Sequence, residues 1–270
     1  MKRKLYITDL DGTLLNSEAC LSKTTCTILN RLIEKGLPLT YATARSLNTA
    51  SQVTQGVRFH LPVIVHNGVF IKDPQSGKIL IMNSFSDDIR MMIIDFISQD
   101  LYPIVYSVID GKEAFSFIER YASQAQRDFL ATRRNDPRYH PVSTIEELLA
   151  GDIYYVTLID DCGCLNALKM KYDEDYRCLL SQDVYTPEWW LEIMPKGISK
   201  AHAIEQLKEL MGYDYIVVFG DGVNDLELFD VADEKYAVAN ADDRLKERAT
   251  DIIGDHDEDG VARYLEALYE

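Results

Sequence analysis

Leu5-Tyr6-Ile7-Thr8-Asp9-Leu10-Asp11-Gly12-Thr13 is an apolar, β-rich run that ends in two carboxylates two residues apart. Side chains alternate between the faces of a strand, so positions 9 and 11 share one face if the strand continues through them. Two acids aimed at one spot repel each other unless a cation lies between them. Gly12 lets the backbone turn sharply, and Thr13 adds a hydroxyl and a backbone donor. The spacing points to a divalent metal held by the acids, one of which is also free to attack phosphorus. Asp and Gly are equally at home in a surface turn, so the rest of the chain has to decide between the two.

Outward from this run, strand and helix alternate. A helix is expected over 22–35, with Ser22 as N-cap and Gly36 as stop. A strand over 37–43, a helix over 46–55 and a strand over 62–66 follow. This spacing predicts parallel strands joined by right-handed crossovers. Residues 69–71 and 78–82, around Asp73-Pro74-Gln75-Ser76-Gly77, predict a hairpin. The middle changes character. It reads as a helix over 87–99, strands over 102–108 and 114–118, a helix near 120–131 and a polar loop carrying Pro137 and Pro141. A short helix over 144–150, a strand over 153–159, a helix over 165–172 and strands over 176–180 and 189–194 complete it. After that comes a helix over 199–211 stopped by Gly212. The nearly all-apolar run 215–219 suits a buried parallel strand, and alternation continues to residue 268. The expected architecture is an α/β, doubly wound parallel-sheet core from residues 1–83 and 195–270, with an inserted α+β domain over 84–194.

The formal net charge of −16, with 47% hydrophobic and 27% charged residues, describes an ordered globular chain. It argues against nucleic acid or an anionic membrane as the main partner. A small phosphorylated substrate stays compatible, because a bound metal and a few lysines reverse the field locally. No run approaches the ~20 apolar residues of a membrane span. The basic start Met1-Lys2-Arg3-Lys4 is followed by too short an apolar stretch for an export signal. Cys20, Cys26, Cys162, Cys164 and Cys178 are odd in number and scattered, which suits reduced thiols in a cytoplasmic protein. Cys162-Gly163-Cys164 lacks a second Cys or His pair at metal-binding spacing.

Further polar clusters fall where strands end, the place where open α/β sheets bind ligands. Thr43 closes the second strand; its hydroxyl can hold a phosphate oxygen, or simply bond locally. Gly220-Asp221-Gly222-Val223-Asn224-Asp225 follows the apolar strand ending at Phe219. Its glycines allow close backbone approach, and the same residues suit an ordinary strand-to-helix turn. Lys196 and Lys200 can neutralise negative charge or remain solvated.

Together these residues resemble the haloacid dehalogenase superfamily. Asp9-Leu10-Asp11-Gly12-Thr13-Leu14 matches its first motif, Thr43 its second, Lys200 in Gly197-Ile198-Ser199-Lys200 its third, and Gly220–Asp225 its fourth. The long insertion between the second and third motifs is similar to the Cof-type branch (subfamily IIB), whose cap domain follows the third core strand. Asn67-Gly68, Asn240-Ala241 and Asp259-Gly260-Val261-Ala262 also look like that branch. Ala44 departs from it, since many relatives carry Gly there.

The resemblance implies a Mg²⁺-dependent phosphatase, with Asp9 as nucleophile forming an aspartyl-phosphate and Asp11 as acid and then base. Mg²⁺ would be held by Asp9, the Asp11 carbonyl and Asp221. Phosphoryl oxygens would be held by Thr43, Lys200, Asn224 and the Leu10 and Ala44 amides, with Asp225 behind them. A small phosphorylated metabolite, most naturally a sugar phosphate, is the expected partner. A phosphomutase, or a non-catalytic Mg²⁺- and phosphate-binding module, would use the same residues. Tyr102, Tyr106, Trp189 and Trp190 of the insertion can stack on a substrate ring or fill its core.

Overall fold

A computed structural model describes residues 2–182 and 188–269. Among them the chain forms two compact units, Met1–Met82 with Ile198–Glu270, and Asn83–Gly197. The first unit begins with β1 (Lys4–Thr8), α1 (Lys23–Glu34), β2 (Leu39–Tyr41) and α2 (Leu47–Val53). Then come β3 (Val63–Val65), β4 (Phe70–Lys72) and β5 (Ile79–Met82). Leu5, Tyr6 and Ile7 are all buried, as a strand covered on both faces requires. Ser22 caps α1 by accepting the Thr25 amide, and Ile28, Leu29, Leu32 and Ile33 form its buried stripe.

The inserted unit runs α3 (Ile89–Ser98), β6 (Ile104–Ile109), β7 (Lys112–Phe117), α4 (Gln124–Ala131) and β8 (Tyr139–Pro141). It continues with α5 (Ile145–Leu148), β9 (Asp152–Asp160), α6 (Cys162–Tyr172), β10 (Tyr176–Gln182) and β11 (Trp189–Pro195). Its sheet order is β10-β11-β9-β6-β7-β8. Ile93 and Phe96 of α3 and Leu165 of α6 pack with Val156 and Leu191 on one face. Leu130 of α4 packs with Ile104, Phe115, Phe117 and Ile159 on the other. Tyr102 stacks on Tyr121 with ring centres 4.2 Å apart, and Trp190 meets Phe129 edge-on at 4.8 Å. Trp189 and Tyr106 also pack against these two apolar clusters.

The first unit resumes with α7 (Lys200–Met211), β12 (Tyr215–Gly220), α8 (Leu226–Val231), β13 (Glu234–Val238), α9 (Asp243–Lys246), β14 (Asp251–Ile253) and α10 (Gly260–Tyr269). Its parallel sheet has the order β14-β13-β12-β1-β2, with Tyr6 opposite Val217 and Thr8 opposite both Phe219 and Tyr41. The α/β parallel-sheet expectation therefore holds. The carboxyl ends of β2, β1 and β12 lie side by side, and this brings Thr43, Asp9 and Asp221 to one edge.

Three details differ from the sequence reading. β3 touches the parallel sheet only through a bridge between Ala42 and Ile64; its main partner is β4, antiparallel. Pro141 lies in a strand rather than a loop, because β8 is an edge strand where proline's missing donor costs no ladder bond. The boundary expected at 195 falls later, since β11 runs through Pro195, which pairs with Tyr176.

Candidate active site

Asp9 follows β1, and its amide donates to the Phe219 carbonyl of β12 at 3.0 Å, so its backbone is fixed by the sheet. Its carboxylate is buried and meets the Lys200 ammonium at 2.7 Å. The same ammonium donates to Asp225 at 2.9 Å. Lys200 is the first residue of α7, whose N-cap Ser199 accepts the His202 amide at 3.2 Å. Asp225 is fully buried and accepts from the Asp221 and Gly222 amides at 3.1 and 3.2 Å. Its oxygens are therefore spoken for, and it steadies both the lysine and the loop after β12.

Asp221 is held differently. Thr13 donates its hydroxyl to Asp221 Oδ1 at 2.8 Å. Gly12, at φ +75°, lies so close that a Cβ there would fall 2.3 Å from Asp221 Oδ2. Asn240 braces the same turn, donating to the Gly12 carbonyl at 2.8 Å, and the Asp242 amide donates to the Asp221 carbonyl at 2.8 Å.

Burial pushes the Asp9 carboxyl above the ordinary aspartate range, against the pull of Lys200. Burial also raises Asp221, with the Thr13 hydrogen bond acting the other way. Burial alone would lower Lys200, but Asp9 and Asp225 outweigh it and hold the ammonium charged. Oxygens of Asp9, Asp221 and Asp225 lie within 4.8 Å of one another. Three carboxylates around one ammonium leave surplus negative charge. Asp9 and Asp221, whose oxygens are less fully engaged than those of Asp225, are the pair suited to a hard divalent cation.

The other expected residues lie on the turns that follow the strands, apart from Lys196. Leu10 is buried in the turn after Asp9. Thr43 is buried, its Oγ1 accepts the Arg45 amide at 3.1 Å, and its amide donates to Ile64. Ala44 and Asn224 are exposed, and the Asn224 carboxamide oxygen lies against Gly222. The Asp11 side chain is gripped by Arg45, with Nε to Oδ2 at 2.8 Å and Nη2 to Oδ1 at 2.5 Å. The Thr13 hydroxyl was noted from sequence without its partner Asp221, and Arg45 was not singled out as a site group. The available signal was an arginine two residues past Thr43 in a stretch, residues 35–72, that offers it no acid to pair with. Lys196 belongs to the inserted unit and donates to the Glu174 carbonyl.

A family model described as haloacid dehalogenase-like hydrolase matches residues 6–265. The chain is 27% identical to the 5-amino-6-(5-phospho-D-ribitylamino)uracil phosphatase YwtE of Bacillus subtilis, over 98% of each chain. It is 24% identical to the pyridoxal phosphate phosphatase YbhA of Escherichia coli, again over 98% of each. Among solved structures it is similar in fold to TM0651 from Thermotoga maritima, with a TM-score of 0.79 at 24% identity, over 99% of this chain and 97% of that one.

Proposed function

The chain belongs to the haloacid dehalogenase-like hydrolases, and from that premise we propose a Mg²⁺-dependent phosphatase that hydrolyses small phosphorylated metabolites, sugar phosphates first, through an aspartyl-phosphate on Asp9. The observation that carries this reading is the buried Asp9 carboxylate at the tip of β1, 2.7 Å from Lys200 and grouped with Asp221. Relatives that act as phosphatases on a phosphoribitylamino uracil and on pyridoxal phosphate support phosphate monoesters as the substrate class.

In this reading an Asp9 oxygen attacks phosphorus in line. The bond from phosphorus to the ester oxygen breaks as the new one forms, and Asp11 gives its proton to the departing alcohol. Asp11, now ionised, takes a proton from water as that water attacks phosphorus, which releases phosphate and restores Asp9. Lys200, Thr43, Asn224 and the Leu10 and Ala44 amides hold the phosphoryl oxygens. Asp225 keeps Lys200 oriented. Asp9, Asp221 and the Asp11 carbonyl would hold Mg²⁺, which when bound withdraws charge from the phosphoryl oxygens. The inserted unit is assigned the choice of leaving group, and the thiols suit a reducing cytoplasm.

A panel of phosphorylated sugars, nucleotides and cofactors, assayed for free phosphate with and without Mg²⁺, tests the reading. Release that depends on Mg²⁺ and vanishes in Asp9→Asn is the expected result. Transfer to a second substrate hydroxyl without free phosphate would replace it with a mutase.

A further inference from the structure

The residue that holds Asp11 is not one of those assigned to the chemistry above. Arg45 reaches Asp11 with two nitrogens, one to each carboxylate oxygen. The torsion that rotates a carboxylate about its own stem is broad, so a single contact leaves it free to turn, whereas a two-point fork fixes its plane. Arg45 itself has little freedom at its root. Its amide donates to Thr43 Oγ1 at 3.1 Å, its carbonyl accepts the His66 amide at 2.9 Å, and the next residue, Ser46, caps α2. The fork thus ties the turn after β1 to the turn after β2. Both side chains keep substantial solvent exposure, 27% for Arg45 and 49% for Asp11. Such a pair contributes little to stability. What it supplies is direction.

We propose that Arg45 is a positioning residue that aims the Asp11 carboxyl at the oxygen of the leaving group, so that Arg45 acts on catalysis through Asp11. The inference rests on the phosphatase reading and adds to it a dependence on leaving-group chemistry. An alkyl phosphate needs its departing oxygen protonated, whereas a nitrophenyl phosphate leaves as a stable anion and does not. kcat/KM reports events up to the first irreversible step, so it isolates leaving-group departure from the later attack of water.

The test compares an alkyl phosphate such as glycerol phosphate with p-nitrophenyl phosphate in wild type, Arg45→Lys, Asp11→Asn and the double variant. Lysine keeps the charge and loses the fork. Arg45→Lys is expected to lower kcat/KM for the alkyl ester about 10- to 100-fold and for the aryl ester less than about threefold. In the Asp11→Asn background the same change should cost less than about threefold on either ester. The melting temperature should move by no more than about 3 °C. Equal losses on both esters would mean that Arg45 binds the phosphoryl group directly, and that overturns the proposal. An unchanged alkyl rate, or a further large loss in the double variant, overturns it as well. A wild type that releases phosphate from neither ester would instead remove the phosphatase reading and take this inference with it.

Discussion

At the scale of single residues, Lys200 carries the electrostatics of the site. It is the ammonium shared by Asp9 and Asp225, both buried. Removing one member of a buried ion pair leaves an uncompensated charge, which costs about 3–5 kcal/mol. Lys200→Met should therefore destabilise the protein by that order in urea unfolding, and millimolar Mg²⁺ should restore part of the loss. Asp9→Asn is a gentler change. It removes a carboxylate that burial disfavours, and Lys200 keeps Asp225 as a partner. We expect turnover to vanish while stability changes by less than about 2 kcal/mol; residual activity near wild type would remove Asp9 as nucleophile. Asp9 and Asp221 could be picked out from sequence because each sits where an apolar run stops, whereas only the family resemblance separated Lys200 from Lys196. Arg45 could not be picked out. Its partner is 34 residues away, and nothing in a linear reading says that its side chain folds back across two strand ends.

At the scale of elements, the turn His66–Gly68 does more than end β3. His66, Asn67 and Gly68 all have positive φ, a conformation costly for the first two. The His66 amide is held by the Arg45 carbonyl and the Asn67 amide by the Thr43 carbonyl. A Cβ on Gly68 would fall 2.1 Å from the Ser199 carbonyl, at the start of α7. Gly68→Ala should thus cost more than about 1–2 kcal/mol from backbone strain alone. By displacing Ser199 it should also lower kcat well beyond what the lost stability explains. Thermal unfolding alongside steady-state kinetics checks both effects. The sequence reading found Asn67-Gly68 as a turn, but not its contact with a helix that begins more than a hundred residues later. It also took β3 as a full member of the parallel sheet. A short apolar run such as Val63–Val65 carries no mark of which neighbour it pairs with, and local hairpin geometry decided for β4.

At the scale of the whole molecule, the alternation of strand and helix at both ends of the chain was enough to predict a parallel sheet with an insertion. Boundaries were harder, because β11 carries on through a proline. Metal binding should appear as a property of the entire fold. Mg²⁺ that binds only the folded chain raises its stability by about 2.7 kcal/mol at a hundred times its dissociation constant. Asp9 and Asp221 both have carboxyls raised above their ordinary range, so they keep protons at a higher pH than exposed aspartates do. Protons then compete with the ion, and the Mg²⁺-induced rise in melting temperature should shrink as pH is lowered from about 8 to about 6. A shift independent of pH across that window would argue that these two carboxylates do not hold the metal. The spacing of the pair has a further outcome, since Asp9 waits for an ammonium 191 positions downstream. On the ribosome, β1 emerges first and has only β2 beside it until β12 is made. A chain truncated before Lys200 would lack both the second neighbour of β1 and the Lys200 ammonium, so it should show no turnover.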